Sequence, residues 1–355
     1  MNPAHHPVVS VVVPAHNEAQ YIGECIESVL AQTHQNWECI VVDNCSTDGT
    51  GEIARQYAAG DSRIRVSENK QLLRAVPNFN GALRQISGES NYCKIVFADD
   101  WIFPECLEQM VAVAEEQPSV GIVGAYGLQG RQVMWAGLPY PSKLVPGREV
   151  GRKLFLEDLY IFGTATSLLV RSNLVRERNP FYNESNLHCD SEACLDLLRT
   201  CDFGFVNQVL TFTRVRAGSL TSFTNEINTL IAGRLHDLVT YGHDYLTPQE
   251  FESCLDLLLS KYYDFLAGNL RLRRGDKFWN YHKRKLNDAG VGFDRVRLTR
   301  AFFTKVASAL FNPKDTIEKL LRGRVAANDT TDADIQARSD VRSTNCPEPV
   351  SVPKS

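Results

Sequence analysis

The chain has 355 residues, of which 43% are hydrophobic, 23% charged and 9% aromatic, with a formal net charge of −4. That length supports a sizeable core without metal or disulfide staples, and the composition excludes collagen, a mostly disordered chain and a disulfide scaffold. The slightly acidic balance argues against a dedicated nucleic-acid binder, which carries a basic face.

No basic segment opens the chain, and the apolar stretch over residues 8–13 is too short for a signal sequence. No run approaches the roughly 18–20 apolar residues of a membrane span. The ten cysteines include no C-x-x-C pair and no zinc spacing, so they are expected to be reduced, mostly buried thiols of a cytoplasmic protein.

Residues 8–13 are β-branched, apolar and stopped by Pro14, the pattern of a strand buried on both faces. Residues 18–32 follow as a helix, with Ile22, Cys25, Ile26, Val29 and Leu30 on one face. A second buried strand spans 37–42 and ends at Asp43 and Asn44. A turn with a helix cap at 46–50 leads into a helix through Ile53, Ala54 and Tyr57. A short strand at 64–66 and a helix opening at 77–80 come next. A fourth strand over 92–98 ends at Asp99 and Asp100, followed by a helix over 104–116 and a strand over 120–126. This alternation predicts a doubly wound α/β sheet. Residues 127–160, with several Gly and Pro, read as loops and short strands covering one sheet edge. A strand over 166–170, a helix over 191–200 and an extended segment over 203–213 complete a first domain, residues 1–225. Residues 226–325 have helical spacing throughout, including a basic amphipathic stretch over 298–311. Residues 326–355 lose all periodicity and are expected to be a disordered tail.

The polar residues fall at the strand ends, where a doubly wound sheet binds its ligands. There is no G-x-G-x-x-G and no Walker loop, so a dinucleotide or P-loop reading lacks its phosphate cradle. The acids offer different chemistry. A carboxylate accepts hydrogen bonds from a ribose or a base, and adjacent carboxylates can hold a hard divalent cation that neutralises a diphosphate leaving group.

Three segments carry a resemblance. Val13-Pro14-Ala15-His16-Asn17-Glu18, Asp43-Asn44-Cys45-Ser46-Thr47-Asp48-Gly49-Thr50 and Phe97-Ala98-Asp99-Asp100 together resemble, in order and spacing, the motifs of the family 2 glycosyltransferases. These are inverting enzymes with the GT-A fold, a mixed, mostly parallel sheet flanked by helices. The resemblance implies transfer of a sugar from a nucleotide-diphosphate sugar to a sugar or lipid-linked acceptor, in polysaccharide, lipopolysaccharide or other glycoconjugate synthesis. It implies that Pro14, Ala15, His16, Glu18, Asp43 and Asp48 line the nucleotide, and that Asp99 and Asp100 hold a Mg²⁺ or Mn²⁺ ion at the diphosphate. Asp190, within Cys189-Asp190-Ser191-Glu192, matches the general base. Arg216 stands where the family has a histidine and can bind the diphosphate directly. The stretch 163–166 falls where such enzymes place acceptor-side residues.

The chain departs from the family's pattern at Phe97, which replaces the first acid of D-x-D-D, and at Cys189, which replaces a Glu. Those departures favour one competing reading, a non-catalytic nucleotide-sugar-binding relative. A sugar nucleotidyltransferase is another, but its glycine-rich loop after the first strand is missing. The basic stretch over 295–320 suits either packing on the catalytic domain, the commoner fate of such a helix, or peripheral contact with the inner face of a membrane.

Overall fold

The computed structural model describes residues 7–157, 159–216, 227–270, 272 and 274–311. Strand β1 (Val9–Ala15) is buried along its whole length. Its side chains alternate between two cores: Val9, Val11 and Val13 enter one, and Val12 enters the other. A strand sandwiched between helical layers needs apolar residues on both faces, which is why this segment reads as a continuous run. Strand β2 (Trp37–Asp43) lies parallel to β1, with Ala15 opposite Asp43 at the carboxyl end. Strand β3 (Ile64–Glu68) extends the sheet beyond β2, and β4 (Tyr92–Ile95) pairs parallel to the other edge of β1.

Helix α1 (Ile22–Leu30) buries Ile22, Cys25, Ile26 and Val29, one stripe at helical spacing. Full burial of such a side chain contributes roughly 1.5–3 kcal/mol. Helices α2 (Thr50–Gly60) and α4 (Cys106–Glu116) supply Ala54, Cys106, Leu107 and Met110 to the same core. Helix α3 (Ala75–Leu83) covers the opposite face through Val76, Ala82 and Leu83.

Among the described residues the sheet has ten strands in the order β3-β2-β1-β4-β9-β6-β10-β5 along its main path. The chain runs outward from β1 to β2 and β3, then returns to place β4 on the opposite side of β1. That reversal opens a crevice at the carboxyl ends of β1, β2 and β4. Strands β6 (Val120–Gln129) and β10 (Asp202–Thr213) pair parallel, and β9 (Leu168–Arg171) runs antiparallel between β4 and β6. Short strands β5 (Trp101–Ile102), β7 (Gln132–Met134) and β8 (Leu144–Val145) add antiparallel edges. The result is the expected mixed, mostly parallel sheet between helical layers.

Local boundaries differ from the sequence expectation, three of them near the site or its supports. Strand β4 stops at Ile95 rather than at 98, because the chain turns there and the Asp100 N–H donates to Phe97 O at 2.8 Å. The strand expected over 166–170 starts two residues later, after a 3-10 turn over Ala165–Ser167. The segment read as loops contains helix α5 (Gly147–Leu156). A Cβ at Gly147 would lie 2.0 Å from Cys201 O and 2.4 Å from Leu198 O, so only glycine permits this packing. Pro146 and Gly147 are the entry to a helix, not the punctuation of a loop.

Helices α6 (Ser172–Glu177) and α7 (Cys189–Leu197) follow β9. The chain then divides into two compact units, Met1–Leu259 with Gly275–Phe293, and Ser260–Arg274 with Asp294–Ser355. Helices α8 (Leu230–Tyr245) and α10 (Asp276–Asp288) belong to the first unit, and α9 (Pro248–Leu270) begins there. The second unit contains α11 (Arg295–Phe311), capped by Asp294, whose Oδ1 accepts from the Val296 and Arg297 N–H groups at 2.7 and 3.0 Å. The expected domain boundary at 225 and the expected tail at 326–355 lie outside the described residues. The nine described cysteines are all free, six of them buried. No described helix is long and apolar enough to cross a membrane.

Candidate active site

The crevice is built first by two loops. After β1, the chain passes buried Pro14 and Ala15 to exposed His16 and Asn17, with Asn17 at φ +55°. After β2 it passes Asp43 and Asn44 to Cys45 at φ +57°. Side chains stitch the loops together. His16 Nδ1 bonds Asn44 O at 2.8 Å, Thr47 N donates to Asn17 Oδ1 at 2.9 Å, and Glu18 N donates to Thr50 Oγ1 at 2.7 Å. Asp48 is the hub of this stitching. Its Oδ1 accepts from Thr50 Oγ1 at 2.6 Å and from Thr50 N at 3.1 Å, and its Oδ2 accepts from Ala19 N at 3.0 Å. Those bonds outweigh desolvation and hold its carboxyl below the usual range. Asp48 therefore shapes the two loops from within.

Asp43 is buried beneath the loops, and its Oδ1 accepts from Ser46 N at 3.0 Å. Its other oxygen faces the first turn of α2, where a Cβ at Gly51 would come within 2.5 Å of Oδ2. A glycine at that point lets the helix start lie directly against the carboxylate.

The second wall comes from the end of β4 and the segment after β10. Asp100 is 3% exposed, and both its oxygens are engaged: Oδ2 accepts from Thr166 Oγ1 at 2.7 Å and Oδ1 from Arg214 N at 3.0 Å. Burial, then the neighbouring Asp99, pushes its carboxyl up to about 7. Asp99 is less enclosed. Its Oδ2 accepts from Arg216 Nε at 2.7 Å, and its carbonyl accepts from Arg214 Nε at 3.0 Å. Arg216 also forms an ion pair with Glu18 Oε1, and Arg214 with Glu24. The Tyr21 ring lies 4.5 Å from the Arg214 guanidinium and 5.7 Å from that of Arg216. Burial, opposed by Arg216 and reinforced by Asp99, raises Glu18 to about 7, and its Oε2 is buried without a hydrogen-bond partner.

The structure thus brings Glu18, Asp99 and Arg216 into one cluster, beside a wall of Pro14, Ala15, His16, Asp43 and Asp48 from the loops after β1 and β2. The expectation that Asp99 and Asp100 share a metal ion meets a donor set that does not fit one. Asp100 is committed to Thr166 and Arg214, Asp99 is bridged to a guanidinium, and position 97 is a phenylalanine packed on Phe79 at 5.0 Å. Among the described residues no group of three His, Cys, Asp or Glu side chains could hold an ion.

Asp190 stands in the first turn of α7, at the edge of a mainly apolar cavity with Ile95, Ala165, Leu168 and Tyr182. Ser191 N donates to its Oδ1 at 2.9 Å. A helix N-terminus favours the ionised form, but burial here outweighs it, raising the carboxyl above its ordinary range against the pull of Ser191 N–H and His188. Glu192, two residues on, is 4% exposed. It accepts from Asn186 at 2.7 Å and Asn183 at 3.1 Å and pairs with His236 at 3.4 Å. Burial opposes its charge, yet these partners hold it down to about 2. Its environment is that of a structural anion inside the fold.

Thr166, in the stretch the resemblance gives to the acceptor side, instead holds Asp100. Other contributors carry no sequence signal. Buried Lys94 donates to Thr166 O at 2.7 Å and Leu168 O at 3.3 Å, pinning the 3-10 turn to β4. Trp135 has φ +68°, and its Nε1, with Ser167 Oγ and Thr211 Oγ1, is buried without a partner. Arg214 was legible, since residues two apart on an extended chain share a side. A buried lysine and a strained tryptophan leave no periodic trace.

A β1-β2-β4 switch point lined by carboxylates, on a mixed, mostly parallel sheet, is the architecture of the GT-A fold. The family model for glycosyl transferase family 2 matches residues 10–176. Glycosyltransferase GlyG of Streptococcus pneumoniae is 35% identical over 119 residues, 34% of this chain and 39% of that relative. The chain spans about half or less of the length of the curated relatives it matches. Among solved structures, Staphylococcus aureus TarS 1–349 in complex with UDP-GlcNAc superposes with a TM-score of 0.62 at 17% identity, covering 86% of this chain and 92% of that one. The mannosyltransferase PcManGT of Pyrobaculum calidifontis, in complex with GDP-Man and Mn²⁺, gives 0.53 at 18% identity, covering 88% and 84%.

Proposed function

We propose that the chain is an inverting glycosyltransferase that moves a sugar from a nucleotide diphosphate to an acceptor hydroxyl in glycan synthesis. The observation that carries this reading is the assembly of Asp43, Glu18, Asp99 and Arg216 around one switch-point crevice. A base and ribose have acceptors there, and a diphosphate has cations. The sugar nucleotides bound by TarS and PcManGT, on the same fold, support it. PcManGT also holds Mn²⁺; among the described residues Asp99 would be the ligand for a divalent ion in this chain, and the steps below use only the chain's own residues.

The acceptor oxygen attacks the anomeric carbon from the side opposite the diphosphate. Asp190 takes the hydroxyl proton, and the bond to the β-phosphate oxygen breaks with its electron pair leaving on the diphosphate. A raised carboxyl suits this task, because a general base works best when its pKa lies near the operating pH. The orphaned Trp135, Ser167 and Thr211 groups lie on the β6–β10 side, next to the stretch assigned to the acceptor. Peripheral membrane contact through α11 is part of the reading. Val296 and Phe303, 77% and 64% exposed, lie seven residues apart among Arg295, Arg297, Arg300 and Lys305, and co-sedimentation with anionic vesicles tests it.

The main test is Asp190→Asn. Donor affinity stays within about threefold, while sugar transfer falls by at least about 100-fold, the lower bound for lost general-base catalysis. Near wild-type transfer by this variant would remove Asp190 from the mechanism. Binding of sugar nucleotides by the unmutated chain without transfer or hydrolysis would instead favour the non-catalytic relative.

A further inference from the structure

We infer that the guanidinium of Arg216, steadied by Arg214, binds the donor diphosphate and supplies the positive charge that a divalent cation would otherwise supply, so that nucleotide binding by this chain does not depend on metal. The inference rests on the donor reading above and deepens it.

A diphosphate brings two or more negative charges into a crevice already lined by Glu18 and Asp99, so something there must supply positive charge. Among the described residues the ligand set for an ion is incomplete, for the reasons given. The cationic side chains in the cluster among those residues are Arg214 and Arg216, and two guanidinium groups carry the formal charge of one divalent ion. Their placement is set by the main chain. Arg214 N–H is bonded to Asp100 at 3.0 Å and Arg214 Nε to Asp99 O at 3.0 Å, which ties the segment after β10 to the end of β4. Asp100 is in this way a positioning residue for the cations. The Tyr21 ring holds both guanidinium groups side by side.

Arg216 itself bridges Asp99 and Glu18 from opposite walls of the crevice. The two carboxylates hold the fork in place before the donor arrives, and a phosphate then competes for the same N–H groups. Guanidinium presents a rigid fork that matches a phosphate in bidentate geometry. Arg216 stays charged at any working pH, so it needs no loading step.

Calorimetric titration of the full chain with UDP and with GDP, in excess EDTA and in excess Mn²⁺, tests the idea without measuring activity. The expected result is that whichever nucleotide binds does so with affinities within about threefold in the two conditions. In EDTA, Arg216→Ala lowers affinity at least about tenfold, or 1.4 kcal/mol. Arg216→Lys, which keeps the charge and loses the fork, falls between the two. Unchanged thermal unfolding midpoints without nucleotide establish that the variants are folded, and Arg216→Lys carries the test if Arg216→Ala is not. Binding that needs Mn²⁺ and is indifferent to Arg216 overturns this inference while leaving the donor reading intact. Failure of UDP and GDP to bind in either condition overturns both.

Discussion

Charge at single residues is decided by partners more than by exposure. Glu192 and Asp190 share the first turn of one helix, yet burial raises Asp190 while His236, Asn186 and Asn183 hold Glu192 down to about 2. For Glu192 the folded carboxyl is the stronger acid, so its contribution to stability is fully present above the unfolded value near 4.5 and is lost as pH falls from there toward 2. The shift corresponds to about 3 kcal/mol. Urea unfolding is expected to show Glu192→Gln destabilised by roughly that amount at pH 7 and nearly level with the unmutated chain at acid pH. A constant difference across pH would show that the side chain matters for its shape alone. For Asp190 the sign is reversed in use. A base acts when deprotonated, so transfer is expected to rise with pH through a midpoint above the ordinary carboxylate range. A rate flat down to pH 5 would contradict a buried base.

At the scale of elements, the site depends on how closely backbones approach. The first turn of α2 lies against Asp43 because Gly51 has no Cβ. Gly51→Ala is expected to push the Asp43 carboxylate off its bond to Ser46 N and weaken nucleotide binding by about tenfold, since a charge-assisted hydrogen bond contributes about 1.5–3 kcal/mol. Retained affinity would show that Asp43 does not touch the base. Lys94 acts at one remove from Asp100, through Thr166. Lys94→Met leaves Thr166 O and Leu168 O without their donor, which costs about 1–3 kcal/mol, and loosens the 3-10 turn that presents Thr166 to Asp100. Thermal unfolding is the measurement.

At the scale of the whole molecule, the first unit is organised around β1. It is buried end to end between β2 and β4, whereas β7 is an edge strand with Gln132 and Val133 exposed. Hydrogen exchange is expected to be slowest in β1 and much faster in β7, because only global unfolding frees a central strand. Comparable rates would mean that the crevice opens without unfolding the sheet. The strand order also explains why acids far apart in sequence share a site. β1 ends between β2 and β4, so the loops after all three converge wherever their sequence positions fall.

Much of this was legible from the residues. The apolar run of β1, the helical stripe of α1 and the acids after Val42 and Ala98 are local patterns with a period or a stop signal, and they were enough for the sheet, the crevice and the family. Helix α5 was not legible, because its Pro146-Gly147 entry reads as a loop until the carbonyls of Leu198 and Cys201 are seen pressing on Gly147. The fates of the paired acids were not legible either. Asp99 and Asp100 are adjacent and chemically alike, but Thr166 and Arg214, 66 and 114 residues further along the chain, claim Asp100 and leave Asp99 to Arg216. Sequence by itself determined that acids stand at the ends of β1, β2 and β4, since strand ends are set by local hydrophobicity and turn chemistry. Only the tertiary structure decided which carboxylates stay available there, because hydrogen bonds and burial between distant segments assign each oxygen its partner.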